Sequence, residues 1–210
     1  RDPAIALYAF CREADDIIDI GGATAGNLAL LRDRLDAIYR NAPYASSTDR
    51  AFSGVVHRFD IPRTLPDALI EGFAWDADGR RYETFAEVLA YATRVAGSVG
   101  AMMALLMGTR DRAQLARACD LGIAMQLSNI ARDVGEDARA GRIYLPLAWM
   151  RHAGLDPDEW LADPQASPEI AEIVERLLEA ADSLYRRAAR GISALPVDCR
   201  TGISAAAYPS

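Results

Sequence analysis

The chain of 210 residues is long enough for one large domain, and a composition of 51% hydrophobic but only 8% aromatic residues favours aliphatic helix packing over a β-sandwich. Its net charge of −7 argues against non-specific nucleic-acid binding, which normally needs a basic face. Three widely spaced cysteines and two unclustered histidines argue against a disulfide scaffold and a zinc site, and they indicate a reducing, cytoplasmic compartment.

Helical signals follow one another along the chain, whereas the period-two alternation typical of strands is nearly absent. Pro3 after Asp2 begins the first helix, and most later prolines fall between segments, as helix boundaries should. The longest apolar run, residues 95–108, is too short to span a bilayer and indicates a buried helix. We predict one all-α domain over residues 1–210, with helices near 3–18, 27–40, 49–59, 65–77, 84–107, 111–138, 146–152 and 168–194.

The first of two acidic motifs lies in the first helix, in the stretch YAFCREADDIID of residues 8–19. At about 100° per residue, four of its polar side chains share one narrow face of an otherwise apolar helix. They are Tyr8, Arg12, Asp15 and Asp19.

The second acidic motif, in the stretch SNIARDVGEDARAGRIYLP of residues 128–146, repeats that geometry. Asn129, Asp133 and Asp137 follow one another at intervals of four, about 40° apart around the helix. Like charges at this spacing repel each other, and a solvated helix face is the ordinary explanation for one such motif. Gly122 stands seven residues before Asn129, so we expect its missing side chain to leave room beside the polar stripe.

Two such stripes that faced each other would form a negatively charged cleft, which bound divalent cations would make favourable. Carboxylates with few other ligands suit Mg²⁺, which completes its shell with water and substrate phosphates. The metal would neutralise a diphosphate leaving group. Arg12, Arg132 and Arg142 would add contacts to phosphate oxygens. Because both motifs carry an arginine among apolar positions, we favour this interpretation over two solvated faces.

Simpler explanations remain open for single residues of these motifs. Arg12 has an ion-pair partner within reach in Asp16, four residues later. Arg142 would be an ordinary solvated residue after a glycine, and Tyr144 a core residue with a satisfied hydroxyl. Cys11 is best explained as a small core residue.

A third pattern is the glycine-interrupted apolar stretch of residues 91–108. Gly97 and Gly100 each cost about 1 kcal/mol of helix propensity relative to alanine. Glycines spaced in this way either allow close helix packing, which is the usual case, or make space for a long apolar ligand. A tunnel of this kind becomes attractive only if the diphosphate site is real.

Four stretches together resemble the squalene/phytoene synthase family, and within it the bacterial phytoene synthases. They are ALYAFCREADDIID, EGFAWDADGRRYETF, YATRVAGSVGAMM and AMQLSNIARDVGEDARAGRIYLP, and the resemblance covers nearly the whole chain. It implies an all-α isoprenoid-synthase (terpenoid synthase) helical bundle with a central cavity.

The resemblance also implies roles for individual residues. The residues that it assigns to Mg²⁺, with Mn²⁺ as an alternative, are Asp15, Asp19, Asn129, Asp133 and Asp137. It places Gln126 near the second metal cluster and its diphosphate. The diphosphate contacts that it implies are Tyr8, Arg12, Arg132 and Tyr144, and the wall of the prenyl cavity is assigned to Tyr91, Ala96 and Val99.

The reaction that the resemblance implies joins two geranylgeranyl diphosphates to phytoene in carotenoid biosynthesis, through a cyclopropyl (prephytoene) diphosphate. An alternative is a C30 synthase that makes squalene, dehydrosqualene or hydroxysqualene from two farnesyl diphosphates; a reductive squalene synthase would also need NADPH. A non-catalytic family member that acts in assembly is a further alternative, although such proteins typically lose the metal-binding aspartates. A class I terpene cyclase would share the second motif, but not the context YAFCR or the tail GRIYLP.

The partners expected from this resemblance are prenyl diphosphates, with no nucleic acid and with peripheral membrane contact for release of an apolar product. The oligomeric state stays open. The family has an upstream helix that this chain lacks, and the stretch LPVDCRTGISAAAYPS stops before the final helices that close the family's cavity. We therefore expect the chain to be truncated at both ends.

Overall fold

The computed structural model describes residues 2–19 and 25–192, and every regular element within those two ranges is a helix. The predicted all-α class is confirmed, and of the helices in the described ranges only α9 was not predicted. Their bounds are α1 Pro3–Asp19, α2 Ala25–Tyr39, α3 Ser47–Arg58, α4 Thr64–Ala77, α5 Phe85–Ala92, a π-helical turn Thr93–Gly97, α6 Ser98–Leu106, α7 Arg112–Arg139, α8 Leu147–His152, α9 Pro157–Ala162 and α10 Pro168–Ile192.

Side-chain caps explain where several helices begin. Ser46 accepts hydrogen bonds from the first backbone N–H groups of α3, and Asp111 accepts one from the Gln114 N–H in α7. At the start of α5, Thr84 and Glu87 form a reciprocal capping box. These local signals fix the starts of the helices that carry the predicted site.

Two hydrophobic clusters hold the helices together. The first joins α1, α2, α3, α4 and α6, and in it the rings of Phe10 and Phe52 stack with centroids 4.1 Å apart. The second joins α5, α7, α8 and α10 around fully buried Leu127 and Leu177. The helix from α5 to α6 passes from one cluster to the other, and α7 packs against it and against α10. The space between these three long elements is where a ligand can be held.

A π-helical turn interrupts the helix that was predicted as uniform over residues 84–107. Glycines on the neighbouring helices let the chain approach this turn closely. A Cβ atom on Gly122 would lie 2.3 Å from the Ala96 carbonyl oxygen, and one on Gly72 would lie 2.5 Å from Val95 Cγ1. The backbone of the π-helical turn fills the space where a Cβ of Gly122 would lie, and Gly122 also lines a cavity beside Asn129, in agreement with the expectation that it leaves room next to the polar stripe.

The helix Phe85–Leu106 is 22 residues long and apolar enough to cross a membrane by length and composition alone. The apolar run of residues 95–108 was predicted to be too short to span a bilayer; the helix begins before this run, at Phe85, and ends within it, at Leu106. Half of its most apolar window is buried inside the protein, where the helix packs against α4 and α7. A buried core helix of a folded domain can also meet these two criteria. The helix is therefore weak evidence for a membrane span.

We expect Gly122→Ala to lower the free energy of unfolding by about 2–3 kcal/mol, because the contact is with rigid backbone that cannot move aside. Gly54→Ala, at an exposed position in α3 with open space around the new Cβ, is the matched control and should raise stability by up to about 1 kcal/mol. Denaturant unfolding followed by circular dichroism measures both. Equal effects of the two substitutions would contradict the close packing of α7 on the π-helical turn.

Candidate active site

The second acidic stripe lies on the C-terminal half of α7. Asn129, Asp133 and Asp137 are each partly buried, and they follow one another along one side of the helix. A partly buried carboxylate is harder to hold in its ionised form than a solvated one. This desolvation acts mainly on Asp137, whose pKa is raised by burial.

The two carboxylates of this stripe differ in their surroundings. Arg132 donates hydrogen bonds of 2.7 and 2.6 Å to the two oxygens of Asp133, and this lowers the pKa of that carboxyl. Burial and the charge of Asp133 raise the pKa of Asp137 to about 6, although Arg142 partly offsets the effect. Negative charge at Asp137 is therefore incompletely compensated by the protein, which is the environment that a bound cation would relieve.

In the metal-free protein we expect Asp137→Asn to raise stability by about 2 kcal/mol near neutral pH. The folded-state pKa of this carboxyl is raised from 3.8 to about 6, so its ionised form destabilises the fold above that pH. As the pH falls from about 6 towards 4, the native state binds a proton that the unfolded chain does not, and the advantage of the variant should disappear. Thermal unfolding with a chelator across this range tests the prediction.

The control for this prediction is Glu136→Gln, an exposed carboxylate one residue earlier on the same helix. Its stability should stay within about 0.5 kcal/mol of the unmodified protein across the same pH range. A gain from Asp137→Asn that did not vary with pH would contradict the electrostatic explanation.

A long apolar cavity of about 420 Å³ begins at the polar stripe. It lies between the helix from α5 to α6, α7 and the end of α10. Four of the predicted site residues line it, namely Ala96, Val99, Gln126 and Asn129. Asn129 belongs both to the cavity lining and to the acidic stripe, so the apolar space and the carboxylates meet at this residue.

The glycines of the third pattern allow close packing, and Gly100 also lines the cavity together with its neighbours. A Cβ atom on Gly100 would lie 2.3 Å from the Ala118 carbonyl oxygen, so this glycine allows α6 and α7 to pack closely. Val95, Val99 and Met103 on the same helix line the cavity. The two alternatives for this stretch, close packing and ligand space, therefore both occur.

The family resemblance assigns Tyr91 to the cavity wall, but Tyr91 is not one of the described residues that line this cavity. Its side chain is only 4% exposed, and its hydroxyl donates a hydrogen bond of 2.8 Å to Asp76 Oδ2. The Tyr144 hydroxyl donates a hydrogen bond of 2.8 Å to Asp76 Oδ1. Burial and the charge of Asp76 raise the pKa of both tyrosines, so both stay protonated.

Sequence reasoning did not single out Asp76. It lies within the stretch EGFAWDADGRRYETF, which was used only for the family resemblance. It is 15 residues before Tyr91 and 68 before Tyr144, so no helical spacing connects the three. A polar residue near the end of an apolar helix, α4, was the only local signal.

The first acidic stripe lies on α1, which packs mainly against α2, α3, α4 and α6. Tyr8 is 69% exposed, and Asp15 is partly buried. Arg12 lies 3.3 Å from Asp16, which is the ion pair considered as its simpler explanation. The side chain of Asp19 lies outside the described residues. It therefore stays a prediction that the two acidic stripes face each other across one cavity.

Within residues 2–19 and 25–192, no three His, Cys, Asp or Glu side chains converge as a preformed metal cage. Mg²⁺ is commonly bound by one or two carboxylates, with the other ligands supplied by water and substrate phosphates. Asp133 and Asp137, with the incompletely compensated charge at Asp137, fit that kind of site.

Residues 1–209 match the family described as squalene/phytoene synthase. The chain belongs to this family. This squalene/phytoene synthase family member is 59% identical over 209 residues to a phytoene synthase of Rhodobacter capsulatus and 53% identical over 218 residues to one of Cereibacter sphaeroides. The matches cover 98% and 99% of the chain, which spans 62% and 61% of the length of these two relatives.

Among solved structures, this family member is similar to a dehydrosqualene synthase determined in complex with a ligand. The TM-score is 0.88 at 34% sequence identity, over 98% of this chain and 72% of that one. The similarity confirms the predicted isoprenoid-synthase bundle.

Proposed function

We propose that this protein is a Mg²⁺-dependent prenyltransferase that condenses two geranylgeranyl diphosphates to phytoene. The observation that carries the proposal is the position of Asn129, where the apolar cavity meets the carboxylates of α7. A prenyl diphosphate has the same division, with an apolar chain joined to an anionic head. The cavity and the stripe thus match the two ends of one substrate.

The diphosphate head of the substrate is assigned to the polar stripe. Asp15 and Asp19 on α1, and Asp133 and Asp137 with Asn129 on α7, would hold Mg²⁺, with Mn²⁺ as an alternative. The bound metal would neutralise the diphosphate and so make it a better leaving group. Arg132 is already hydrogen bonded to Asp133, and its exposed guanidinium has further donors for phosphate oxygens.

The prenyl chain of the substrate is assigned to the cavity. Its lining is aliphatic and thioether over most of its length, from Val95 and Val99 to Met103 and Met107. Over this part of the lining there is no nucleophile, and there are few polar groups to hold the water that would otherwise capture an allylic cation. The same surface binds a hydrocarbon through apolar contact.

Substrate length is the finer part of the proposal. The C20 substrate is supported by the 59% and 53% identity to proteins named phytoene synthase. The structural similarity to a dehydrosqualene synthase keeps the C30 reaction as the second candidate. Four retained aspartates, Asp15, Asp19, Asp133 and Asp137, support catalysis over a purely structural role.

We also propose a cytoplasmic location with peripheral membrane contact, because the product is a lipid-soluble hydrocarbon. The apolar cavity would otherwise have to release this product into water, where its solubility is very low.

Incubation of the full-length protein with Mg²⁺ and geranylgeranyl diphosphate should give a C40 hydrocarbon, and addition of EDTA should stop the reaction. Excess Mg²⁺ after EDTA is the control and should restore the reaction. Product from farnesyl diphosphate only would refute the C20 assignment. Turnover that persisted in EDTA would refute the metal dependence.

A further inference from the structure

The polar residues that line the apolar cavity lie in two pairs, one at each end. Gln126 and Asn129 line the end beside the acidic stripe, whereas Gln114 and Arg117 line the opposite end. The other described residues of the lining are glycine, alanine and larger aliphatic or thioether residues. The proposed diphosphate site explains the first pair only, and the second pair lies where the far end of a prenyl chain would be.

Helix α7 gives the distance between the two ends of the cavity. Gly122 of α7 packs on the π-helical turn, and Gly100 of α6 packs on Ala118 of α7. These two contacts show that α7 runs antiparallel to the helix from α5 to α6, so the cavity between them follows the axis of α7. Asn129 lies 12 residues after Arg117. At the rise of an α-helix, this spacing corresponds to about 18 Å along the axis.

This distance matches the length of a C20 prenyl chain. An extended chain advances about 3.5 Å for every three bonds, so the main chain of a geranylgeranyl group, with about 15 bonds, extends over roughly 18 Å. A fifth isoprene unit would add about 5 Å. With its diphosphate at the acidic stripe, a C20 chain therefore ends at Arg117, and an extended C25 chain would have to pass this residue.

Contacts with two helices hold Arg117 at the far end of the cavity. Its guanidinium donates a hydrogen bond of 2.8 Å to Asp120 Oδ2 on α7. Asp120 is only 5% exposed, and its Oδ1 accepts a hydrogen bond of 2.7 Å from Arg187 on α10. The stem of Arg117 packs on Gly191 of α10, where an added Cβ would lie 2.6 Å from Arg117 Cβ. Displacement of Arg117 would take one of these two arginines from a buried carboxylate, which is costly.

We propose that Arg117 is a specificity-determining residue that ends the prenyl cavity and limits the substrate to a C20 chain. This inference rests on the proposed function and deepens it, because it assigns the upper limit of substrate length to one side chain. A longer chain would either bury the guanidinium against hydrocarbon or break its pair with Asp120. Both alternatives leave charge without adequate solvation.

The test is a competition between C20 and C25 prenyl diphosphates, with Mg²⁺ and Arg117→Ala in the full-length protein. Alanine removes the stem and the guanidinium while it keeps a high helix propensity. Relative to the unmodified protein, we expect the ratio of C45 to C40 hydrocarbon to rise at least about tenfold, because the added isoprene unit gains apolar space. An unchanged product ratio would overturn the proposal.

The matched control is Arg187→Ala, which removes the other arginine from the same carboxylate. Arg187 is exposed and is not one of the described residues that line the cavity. The ratio of C45 to C40 product should stay within about twofold of that of the unmodified protein. If Arg187→Ala raised this ratio as much as Arg117→Ala, looser packing of α10 rather than the Arg117 side chain would set the limit, and the proposal would be overturned.

Binding of unreactive C20 and C25 thiodiphosphate analogues with Mg²⁺, measured by calorimetry, tests the length limit without turnover. In Arg117→Ala the affinity for the C25 analogue relative to the C20 analogue should rise at least about tenfold. Absence of a C40 product from the unmodified protein would refute the proposed function, whereas an unshifted affinity ratio would overturn the length limit. The two failures are therefore distinguishable.

Arg117→Met serves as a second variant if Arg117→Ala does not fold. Its unbranched stem keeps the packing on Gly191, but its thioether cannot pair with Asp120 and moves aside easily. A rise of at least about threefold in the C25-to-C20 affinity ratio is expected. An unchanged ratio in this folded variant would overturn the proposal.

Discussion

Asp133→Asn should lower kcat by at least about 10³-fold while leaving the protein folded, because it removes one unit of charge from the proposed Mg²⁺ site without changing its shape. Asp133 lies in the middle of the α7 stripe, between Asn129 at the cavity and Asp137. Among the described residues, Asp133 forms an ion pair with Arg132, whose side chain is 70% exposed. Because an exposed ion pair contributes little, loss of this one should lower the free energy of unfolding by less than about 1 kcal/mol.

The matched control for Asp133→Asn is Glu136→Gln, which removes the same charge from an exposed position three residues later on α7. Its activity should stay within about twofold of that of the unmodified protein, because the residue is off the stripe. Titration of each variant with Mg²⁺ separates weak metal binding from a slow reaction. Equal activities of Asp133→Asn and the unmodified protein at saturating substrate would refute the metal site on α7.

Val99→Trp should lower kcat/KM for geranylgeranyl diphosphate by about 10²-fold, because the indole would occupy the space that we assign to the prenyl chain. Val99 lines the cavity on α6, just after the π-helical turn. Farnesyl diphosphate, five carbons shorter, should lose less, so the ratio of the two kcat/KM values should shift towards C15. Kinetics with each substrate, and the lengths of the hydrocarbon products, measure the shift.

Ala86→Trp controls for the insertion of a large side chain into the same helix. Ala86 is exposed on the first turn of α5, and its replacement should change neither substrate preference nor kcat/KM by more than about twofold. Equal losses with C15 and C20 substrates in Val99→Trp would indicate general disruption of the fold, and would contradict assignment of the cavity to the chain end of the substrate.

Helix periodicity, caps and prolines were sufficient to predict the all-α class and most of the helices, because each of these signals is local. The bounds of α7 differ from the predicted 111–138 by a single residue at each end, since Asp111 is a regular N-cap and Gly141, with φ 78°, follows the last turn. The short helix α9 was missed although Asp156 and Pro157 are a regular helix start, because a six-residue helix shows no apolar periodicity.

The parts that could not be predicted depend on contacts between distant residues. The π-helical turn lies where Gly122 of α7 admits its backbone and Gly72 of α4 admits the Val95 side chain. These contacts come from other helices, so residues 93–97 alone do not indicate the turn. Asp76 meets its two tyrosines only through tertiary packing. The spacing of Asn129, Asp133 and Asp137 correctly predicted that they lie on one side of α7. Spacing within one helix does not determine how two helices face each other.

We propose that the stripes on α1 and α7 bind one Mg²⁺-diphosphate group together. Binding of Mn²⁺, followed by its paramagnetic resonance signal, should be measured with an unreactive thiodiphosphate analogue of geranylgeranyl diphosphate, using Asp15→Asn, Asp133→Asn and the double variant. We predict that either single substitution weakens Mn²⁺ binding at least about tenfold, and that their effects are not additive because the two helices share one ligand. Unchanged binding in Asp15→Asn, or independent losses that add fully, would contradict a shared site.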